Sequence, residues 1–185
     1  MSYVKLDESG ALQPDPDTSK KAPARGVKIV FTDSDGEERT LYYFSTDLSN
    51  GGVDGSKFLS FLESLGSGDG FVKSASYLPH NPGFSKVRDF LLTHSNSIVQ
   101  DDTGIPLARY EAQKWELQPH GKYVGPIPVF KGMHNAKYAA LFKNAPPIDF
   151  SLGYRWKPNQ SNLLLAIKKP GISMSMAETA SPSAR

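Results

Sequence analysis

The chain has 185 residues, a formal net charge of +2 and no cysteine, and 38% of its residues are hydrophobic. This length and composition suit one domain with its own core, and the missing cysteine excludes disulfides, thiolate metal ligands and cysteine nucleophiles. The basic residues are scattered and no apolar run approaches about 18 residues, so we expect neither nucleic-acid binding nor membrane insertion.

The predicted elements begin after a polar N-terminal segment. Residues 1–25 combine prolines and charged residues with little apolar content, which is typical of a disordered tail or linker. Residues 26–44 alternate between apolar and polar on both sides of Asp35 and Gly36, and this pattern predicts a β-hairpin with a type I′ turn. In that register, Val27, Ile29 and Phe31 of one strand face Phe44, Tyr42 and Thr40 of the other.

A loop rich in glycine follows the hairpin and leads into a helix. Asp47 and Asn50 in this loop could bind a cation or a polar ligand, or they could shape the turn and cap the helix. We predict the helix over residues 56–65, where apolar side chains recur at helical spacing and Gly66 follows as a C-terminal glycine.

The next stretch, FVKSASYL, predicts a strand because it is rich in aromatic and β-branched residues. On such a strand Ser74 and Ser76 share one face, while Lys73 points to the other. The strand prediction therefore groups the two hydroxyl side chains together.

A second helix is predicted after this strand. Asn81 is followed by proline, which suits a helix N-cap and first turn, and the apolar spacing continues to His94. A short strand over residues 97–100 and a turn over residues 101–104 come next, before a second extended piece.

The C-terminal third predicts weaker elements. These are a strand over residues 110–117, an edge strand or loop over 121–132, a short helix over 135–144, a hairpin with arms 148–156 and 161–169, and a disordered tail over 170–185. The predicted strands are paired in hairpins and do not alternate with helices along the chain. We therefore predict an α+β domain over residues 26–169, with a mostly antiparallel sheet and about three helices.

One candidate for chemistry is the tripeptide Asp102, Thr103 and Gly104, which matches the motif of aspartic proteases, where two aspartates share a proton. Gln100 and Asp101 precede it where that family has an apolar strand. A turn whose aspartates accept backbone N–H bonds is the alternative.

A second candidate is a nucleophile and base set. Ser74 or Ser76 could act as a nucleophile, His80 as a base, and Asp101 or Asp102 as the orienting carboxylate. The chain has no GxSxG elbow, so structural hydrogen bonding is the alternative interpretation of these residues.

Ligand-binding candidates come from the polar loops and their aromatic residues. Lys73 and Tyr77 join Asp47 and Asn50 in this group, because amphipathic aromatic and polar side chains together suit recognition of a polar ligand. The histidines lack the close spacing of a metal site, and no glycine-rich phosphate loop occurs, so we expect no metal and no cofactor.

Four stretches, LYYFSTDLSN, FVKSASYLPH, QDDTGIP and NQSNLLLAIKK, resemble a family of uncharacterised bacterial proteins. These stretches spread over most of residues 26–169. Members of that family are usually longer and often carry an export signal. The resemblance implies a shared fold, no assigned activity, and a periplasmic or extracellular location if the chain is part of a longer exported protein.

Two functional hypotheses follow. The first is a non-catalytic module that binds a polar small molecule, a peptide or a companion domain through the loops at 46–52, 77–81 and 100–105. The second is a hydrolase that uses His80 with Asp101 or Asp102, and Ser74 or Ser76. The sequence leaves the oligomeric state open.

Overall fold

The computed structural model describes residues 1–17, 19, 21–152 and 161–170. Strands and helices both occur and most strand pairs are antiparallel, so the predicted α+β class is confirmed. The described strands are β1 Ser2–Leu6, β2 Leu12–Pro14, β3 Ala24–Thr32, β4 Glu38–Thr46, β5 Gly68–Val72, β6 Ser95–Gln100, β7 Glu116–Gly121 and β8 Asn162–Ile167. The described α-helices are α1 Asn50–Ser56, α2 Phe58–Ser64, α3 Ser85–His94, α4 Leu107–Ala112 and α5 Ala136–Leu141, which is more than the sequence predicts.

The first sheet has the strand order β2-β1-β3-β4 and is antiparallel throughout. One of its faces packs on α2, where the buried Phe61 ring lies nearly perpendicular to Tyr42 with centroids 5.4 Å apart. Phe44 packs against Phe58 of the same helix at 5.7 Å. Burial of these aromatic surfaces stabilises α2 on the sheet.

The prediction that residues 1–25 form a disordered tail is wrong for the part that the structure describes. β1 pairs with β2 and β3, and it buries Val4 and Leu6. Asp15 is also buried, and its carboxylate pairs with Arg25 at the start of β3. A strand with only two buried apolar side chains leaves little trace in composition, because its stability comes from pairing with residues distant in sequence.

The loop of the β3–β4 hairpin is longer than predicted. Thr32 pairs with Glu38, so residues 33–37 form a five-residue loop instead of a two-residue type I′ turn. Asp33 Oδ1 accepts hydrogen bonds from the backbone N–H groups of Asp35 and Glu37, at 2.9 and 3.0 Å. The Asp33 carboxylate thus organises the loop, and only Gly36 of its residues has a positive φ.

The predicted pairing of this hairpin is wrong by one residue. Val27 lies opposite Tyr43, and not opposite Phe44. Because successive residues of a strand point to opposite faces, Phe44 faces α2, whereas the Tyr43 side chain is 67% exposed. The pairs that follow along the hairpin are Ile29 with Leu41 and Phe31 with Arg39.

The second sheet has the order β5-β6-β8-β7, and among its described strands only the β5–β6 pair is parallel. Leu164 of the inner strand β8 is fully buried. One core cluster, which includes Leu92 and Tyr110, joins the sheet to α3 and α4, and another, which includes Tyr138, joins it to α5. These helices therefore pack on strands β5, β6 and β8 of the sheet.

Several predicted elements agree with the structure. The predicted helix over 56–65 corresponds to α2, which Lys57 separates from α1 with a φ of 55°. Asn81 caps the turn that leads into α3, since its Oδ1 accepts a hydrogen bond from Gly83 N at 2.8 Å, and α3 ends at His94 as predicted. The predicted strand at 97–100 lies within β6, and the helix predicted at 135–144 includes α5.

Two predicted strands need correction. β5 ends at Val72, so Ser74 and Ser76 lie in a loop and not on a strand face. Tyr110 lies in α4, and the following strand begins only at Glu116. In both cases aromatic residues suggested a strand where tertiary packing favours another backbone conformation.

The predicted C-terminal hairpin also differs from the structure. β8 is flanked by β6 and β7, and residues 148–152 form no strand. The rest of the predicted first arm, residues 153–156, lies outside the described residues, as does the tail from residue 171 onward. Both pairing partners of β8 therefore come from earlier in the chain than the predicted first arm.

Candidate functional site

The parallel pairing of β5 and β6 brings two candidate segments together. Val72 at the end of β5 pairs with Gln100 at the end of β6. Because parallel strands end at the same edge of a sheet, the segments that follow them are neighbours. We refer to residues 73–80 as the 73–80 loop and to residues 101–104 as the 101–104 turn.

Three donors bind the Asp101 carboxylate at the place where the 73–80 loop meets the 101–104 turn. Lys73 Nζ pairs with its Oδ2, while Thr103 N and Thr103 Oγ1 donate to its Oδ1 at 2.9 and 2.5 Å. Ser74 N in turn donates to Thr103 Oγ1 at 2.9 Å. These bonds tie the 73–80 loop to the 101–104 turn, which is a structural role for the carboxylate.

Asp102 has a different set of partners. Tyr77 Oη donates to its Oδ2 at 2.5 Å, and Asn162 Nδ2 donates to its Oδ1 at 3.4 Å. Asn162 Oδ1 also accepts from Asp102 N at 3.1 Å. Burial and the Asp102 carboxylate raise the pKa of Tyr77 well above its ordinary value, so the phenol keeps its proton and acts as the donor.

His80 lies beside Asp102 without a hydrogen bond to its carboxylate among the described residues. Its ring packs edge-on against Tyr77 with centroids 5.3 Å apart, and its Nε2 is buried without a hydrogen-bond partner in that part of the chain. Burial lowers the pKa of His80, although the backbone of Gly104 and the Asp102 carboxylate act in the opposite direction. The imidazole is therefore neutral at pH 7.

The two serines do not complete a nucleophile and base arrangement. Ser74 Oγ accepts hydrogen bonds from Leu78 N at 2.9 Å and from Ser76 N at 3.4 Å, so it caps the 73–80 loop. Ser76 is exposed, and no hydrogen bond joins either hydroxyl to His80 within the described residues. The structure thus brings the five proposed catalytic residues into one region without the contacts of a triad.

The aspartic-protease tripeptide forms a tightly packed turn. A Cβ on Gly104 would come within 2.5 Å of Gln100 Oε1, so only glycine fits there. The buried Gln100 side chain binds both backbone polar groups of Ile105, with Nε2 donating to its carbonyl at 2.9 Å and Oε1 accepting from its N–H at 2.8 Å. Tyr110 Oη also donates to Gln100 Oε1 at 2.6 Å, which holds the Gln100 side chain in place next to the turn.

The remaining two candidates stabilise helix ends. Asp47 accepts from Ser49 N at 2.8 Å and from Ser49 Oγ at 2.9 Å, just before α1. Asn50 Nδ2 donates to Pro82 O at 3.1 Å, and its Oδ1 accepts from Lys86 N at 3.0 Å. Asn50 thus joins α1 to α3, which corresponds to the capping alternative predicted for this loop.

Sequence reasoning missed an apolar pocket that is lined in part by the 73–80 loop. This pocket, which we call the apolar pocket, has a volume of about 360 Å³ and lies between α2, β5, the 73–80 loop and α3. Its apolar walls include Phe58, Leu62, Phe71, Val87, Phe90 and Leu91. The signal was present, because the sequence shows apolar faces on both helices, but such faces usually predict filled core.

The rim of the apolar pocket is exposed. Leu48, Phe71 and Leu78 line it and keep 40%, 69% and 41% of their surfaces accessible. Leu48 and Leu78 belong to two of the three loops predicted to bind a ligand, whereas the 101–104 turn contributes none of the described lining residues. Concave apolar surface of this size is typical of small-molecule sites.

No family model, no curated protein and no solved structure matches this chain. Within the described residues, no helix combines the length and apolar character that a membrane span requires. The same residues contain no group of three or more histidine, aspartate and glutamate side chains placed to hold a metal ion.

Proposed function

We propose that the protein is a non-catalytic binding module, and that its ligand enters the apolar pocket. The observation that carries this proposal is the pocket itself, which combines apolar walls with an exposed apolar rim. Removing such a surface from water stabilises a complex by roughly 25 cal/mol per Å² of apolar area. A ligand with an apolar body fits this site better than the polar ligand that the sequence predicts.

The polar side of the 73–80 loop supports a non-catalytic role. The carboxylates of Asp101 and Asp102 and the hydroxyl of Ser74 are occupied by hydrogen bonds within the chain. Each of these bonds shapes a turn or joins two loops. A catalytic base or nucleophile needs a contact that is available to a substrate, and these groups serve the fold instead.

A hydrolase is the second candidate because of one group, His80. Its Nε2 is buried without a partner among the described residues, and burial lowers the pKa of the ring, so a neutral base lies beside Asp102. A fluorophosphonate probe tests this candidate. Covalent labelling of Ser74 or Ser76 that is lost in His80→Ala supports hydrolysis, whereas a folded and unlabelled protein counts against it.

Binding of the neutral apolar dye Nile red tests the proposed module. We expect saturable binding to the natural protein and at least a tenfold weaker affinity in Ala75→Trp, because Ala75 lines the apolar pocket and an indole there occupies its space. Ala112→Trp is the matched control, since Ala112 is an exposed residue of α4 outside the pocket lining. Equal dye affinity in both variants contradicts the proposed site.

A further inference from the structure

The charges in the lining of the apolar pocket are all of one sign. Two of its described lining residues are charged, and these are the cations Lys73 and Arg88, while no aspartate or glutamate of the described chain lines it. An apolar pocket with cationic groups in its wall is complementary to a molecule that combines an apolar body with an anion.

Arg88 is the buried cation of this pair. Its side chain is only 6% exposed, its Nη1 donates to Pro79 O at 3.1 Å, and its Nε donates to Asp89 Oδ1 at 3.2 Å. Among the described residues Nη2 makes no hydrogen bond. Because Arg88 lines the apolar pocket, an Nη2 without a partner in the described chain can donate to the oxygen of a ligand there.

The nearest carboxylate matches the charge of Arg88 poorly. The Asp89 side chain is 59% exposed, so water screens its attraction to the guanidinium. Burial is the main cause of the lowered pKa of His80, and the positive charge of Arg88 adds to it. The charge of Lys73, by contrast, is matched by the more buried carboxylate of Asp101. The more weakly matched positive charge of the lining therefore lies at Arg88.

We propose that the apolar pocket binds a medium-chain carboxylate, with the hydrocarbon chain against the apolar walls and the carboxylate on Arg88. This inference rests on the proposed binding function and names the class of its ligand. Guanidinium binds carboxylate through directed, charge-assisted hydrogen bonds, which are stronger than bonds between neutral groups. The apolar walls supply affinity for the chain, and Arg88 selects the head group.

Three ligands of equal chain length test the inference by calorimetry: octanoate, octanol and octylammonium. We expect octanoate to bind the natural protein about tenfold more tightly than octanol, because a hydrogen bond to a charged group contributes more than one between neutral groups. Octylammonium is expected to bind most weakly of the three, since its charge has the same sign as Arg88. This comparison requires no variant and is therefore independent of folding defects.

Arg88→Met then assigns the preference to its residue. We expect octanoate affinity to fall to within twofold of octanol affinity in this variant, while octanol binding is retained. Lys86→Met is the matched control, because Lys86 lies on the same helix, is exposed, and lies outside the pocket lining. It should keep the tenfold preference for octanoate.

The outcomes separate the two proposals. Equal affinities for octanoate and octanol overturn the carboxylate inference and leave the binding module intact. Absence of binding by all three ligands and by Nile red overturns the proposed function itself. A preference for octanoate that survives in a folded Arg88→Met variant shows that Arg88 is not the anion-binding group.

Discussion

The two sides of the 73–80 loop differ in how completely their polar groups are hydrogen-bonded within the chain and in how much space they leave open. Toward the 101–104 turn, the side chains are polar and their hydrogen bonds close on one another, as with Lys73, Asp101 and Thr103. Toward α3, the walls are apolar, space is left open, and Arg88 keeps an N–H group without a partner in the described residues. A dense polar sequence can thus mark a structural junction, while the proposed ligand site is formed by ordinary apolar residues.

The largest effect on the polar side is expected at Gln100. In Gln100→Ala, the N–H and carbonyl of Ile105 and the hydroxyl of Tyr110 lose buried partners, and a cavity remains. Buried unsatisfied groups cost about 1 to 3 kcal/mol each, so the free energy of unfolding should fall by roughly 3 to 5 kcal/mol in urea titrations.

Gln118→Ala is the control for this loss. Gln118 lies on β7 and donates to Glu116 at 2.8 Å in an exposed contact. We expect a change of about 0.5 kcal/mol or less. Equal losses in the two variants would show that Gln100 does not hold the 101–104 turn.

Alkaline pH should destabilise the protein through its buried tyrosines. Burial raises the pKa of Tyr110 and Tyr138 well above the ordinary value of 10, so above that pH the unfolded chain loses protons that the folded protein retains. Stability is therefore full below pH 10 and falls as the pH rises past it, by about 1 kcal/mol per tyrosine at pH 11. Urea midpoints at pH 9 and 11 measure this loss, and an unchanged midpoint contradicts it.

Asp101→Ala should have the next largest effect. It removes the acceptor of Thr103 N, Thr103 Oγ1 and Lys73 Nζ, in a side chain that is 13% exposed. We expect a loss of about 2 kcal/mol in unfolding free energy, with Nile red affinity unchanged within twofold. Tenfold weaker dye binding in this variant would show that the apolar pocket depends on the hydrogen bonds of Asp101.

Asp35→Ala provides a matched carboxylate. Asp35 is exposed in the β3–β4 loop, and its carboxylate accepts only a 3.5 Å hydrogen bond from Ser34 Oγ among the described residues. Its removal should change the unfolding free energy by about 0.5 kcal/mol or less. A loss as large as that of Asp101→Ala would show that the hydrogen bonds of Asp101 contribute no more to stability than an exposed carboxylate does.

The smallest effect is expected from His80 at acid pH. Because its pKa is lowered in the folded protein, the unfolded chain binds a proton first as the pH falls below about 6.5, and stability decreases from there downward. The imidazole resonance should shift with a midpoint below 6.5 in NMR titrations. His80→Asn should weaken the acid dependence of the urea midpoint, and a ring midpoint above 6.5 contradicts the burial of this group.

Local patterns predict some of this fold and little of the pocket. The cap at Asn81 and the strand at 97–100 depend on neighbouring residues, so the sequence predicts them. The pairing of Val27 with Tyr43 depends on the five-residue loop that the Asp33 carboxylate organises. The burial of Val4 depends on a strand that is distant in sequence. Neither feature is visible in local periodicity.

The candidate site shows the same limit. The sequence places Lys73 and Asp101 in separate segments, and their contact follows from the parallel pairing of β5 with β6. The apolar residues of α2 and α3, such as Leu62 and Val87, have the spacing of a core face. Whether such a face is filled or left open depends on the packing of whole elements, which periodicity does not encode.

The most direct test is methyl NMR of the natural protein titrated with octanoate. We predict that the methyl resonances of Leu62, Val87 and Leu91 shift in saturable fashion, because these residues line the apolar pocket. The methyl groups of Leu163 and Leu164, which follow Asn162 on β8 near Asp102, should stay in place. Shifts confined to Leu163 and Leu164 would place binding on the polar side of the 73–80 loop and contradict the account.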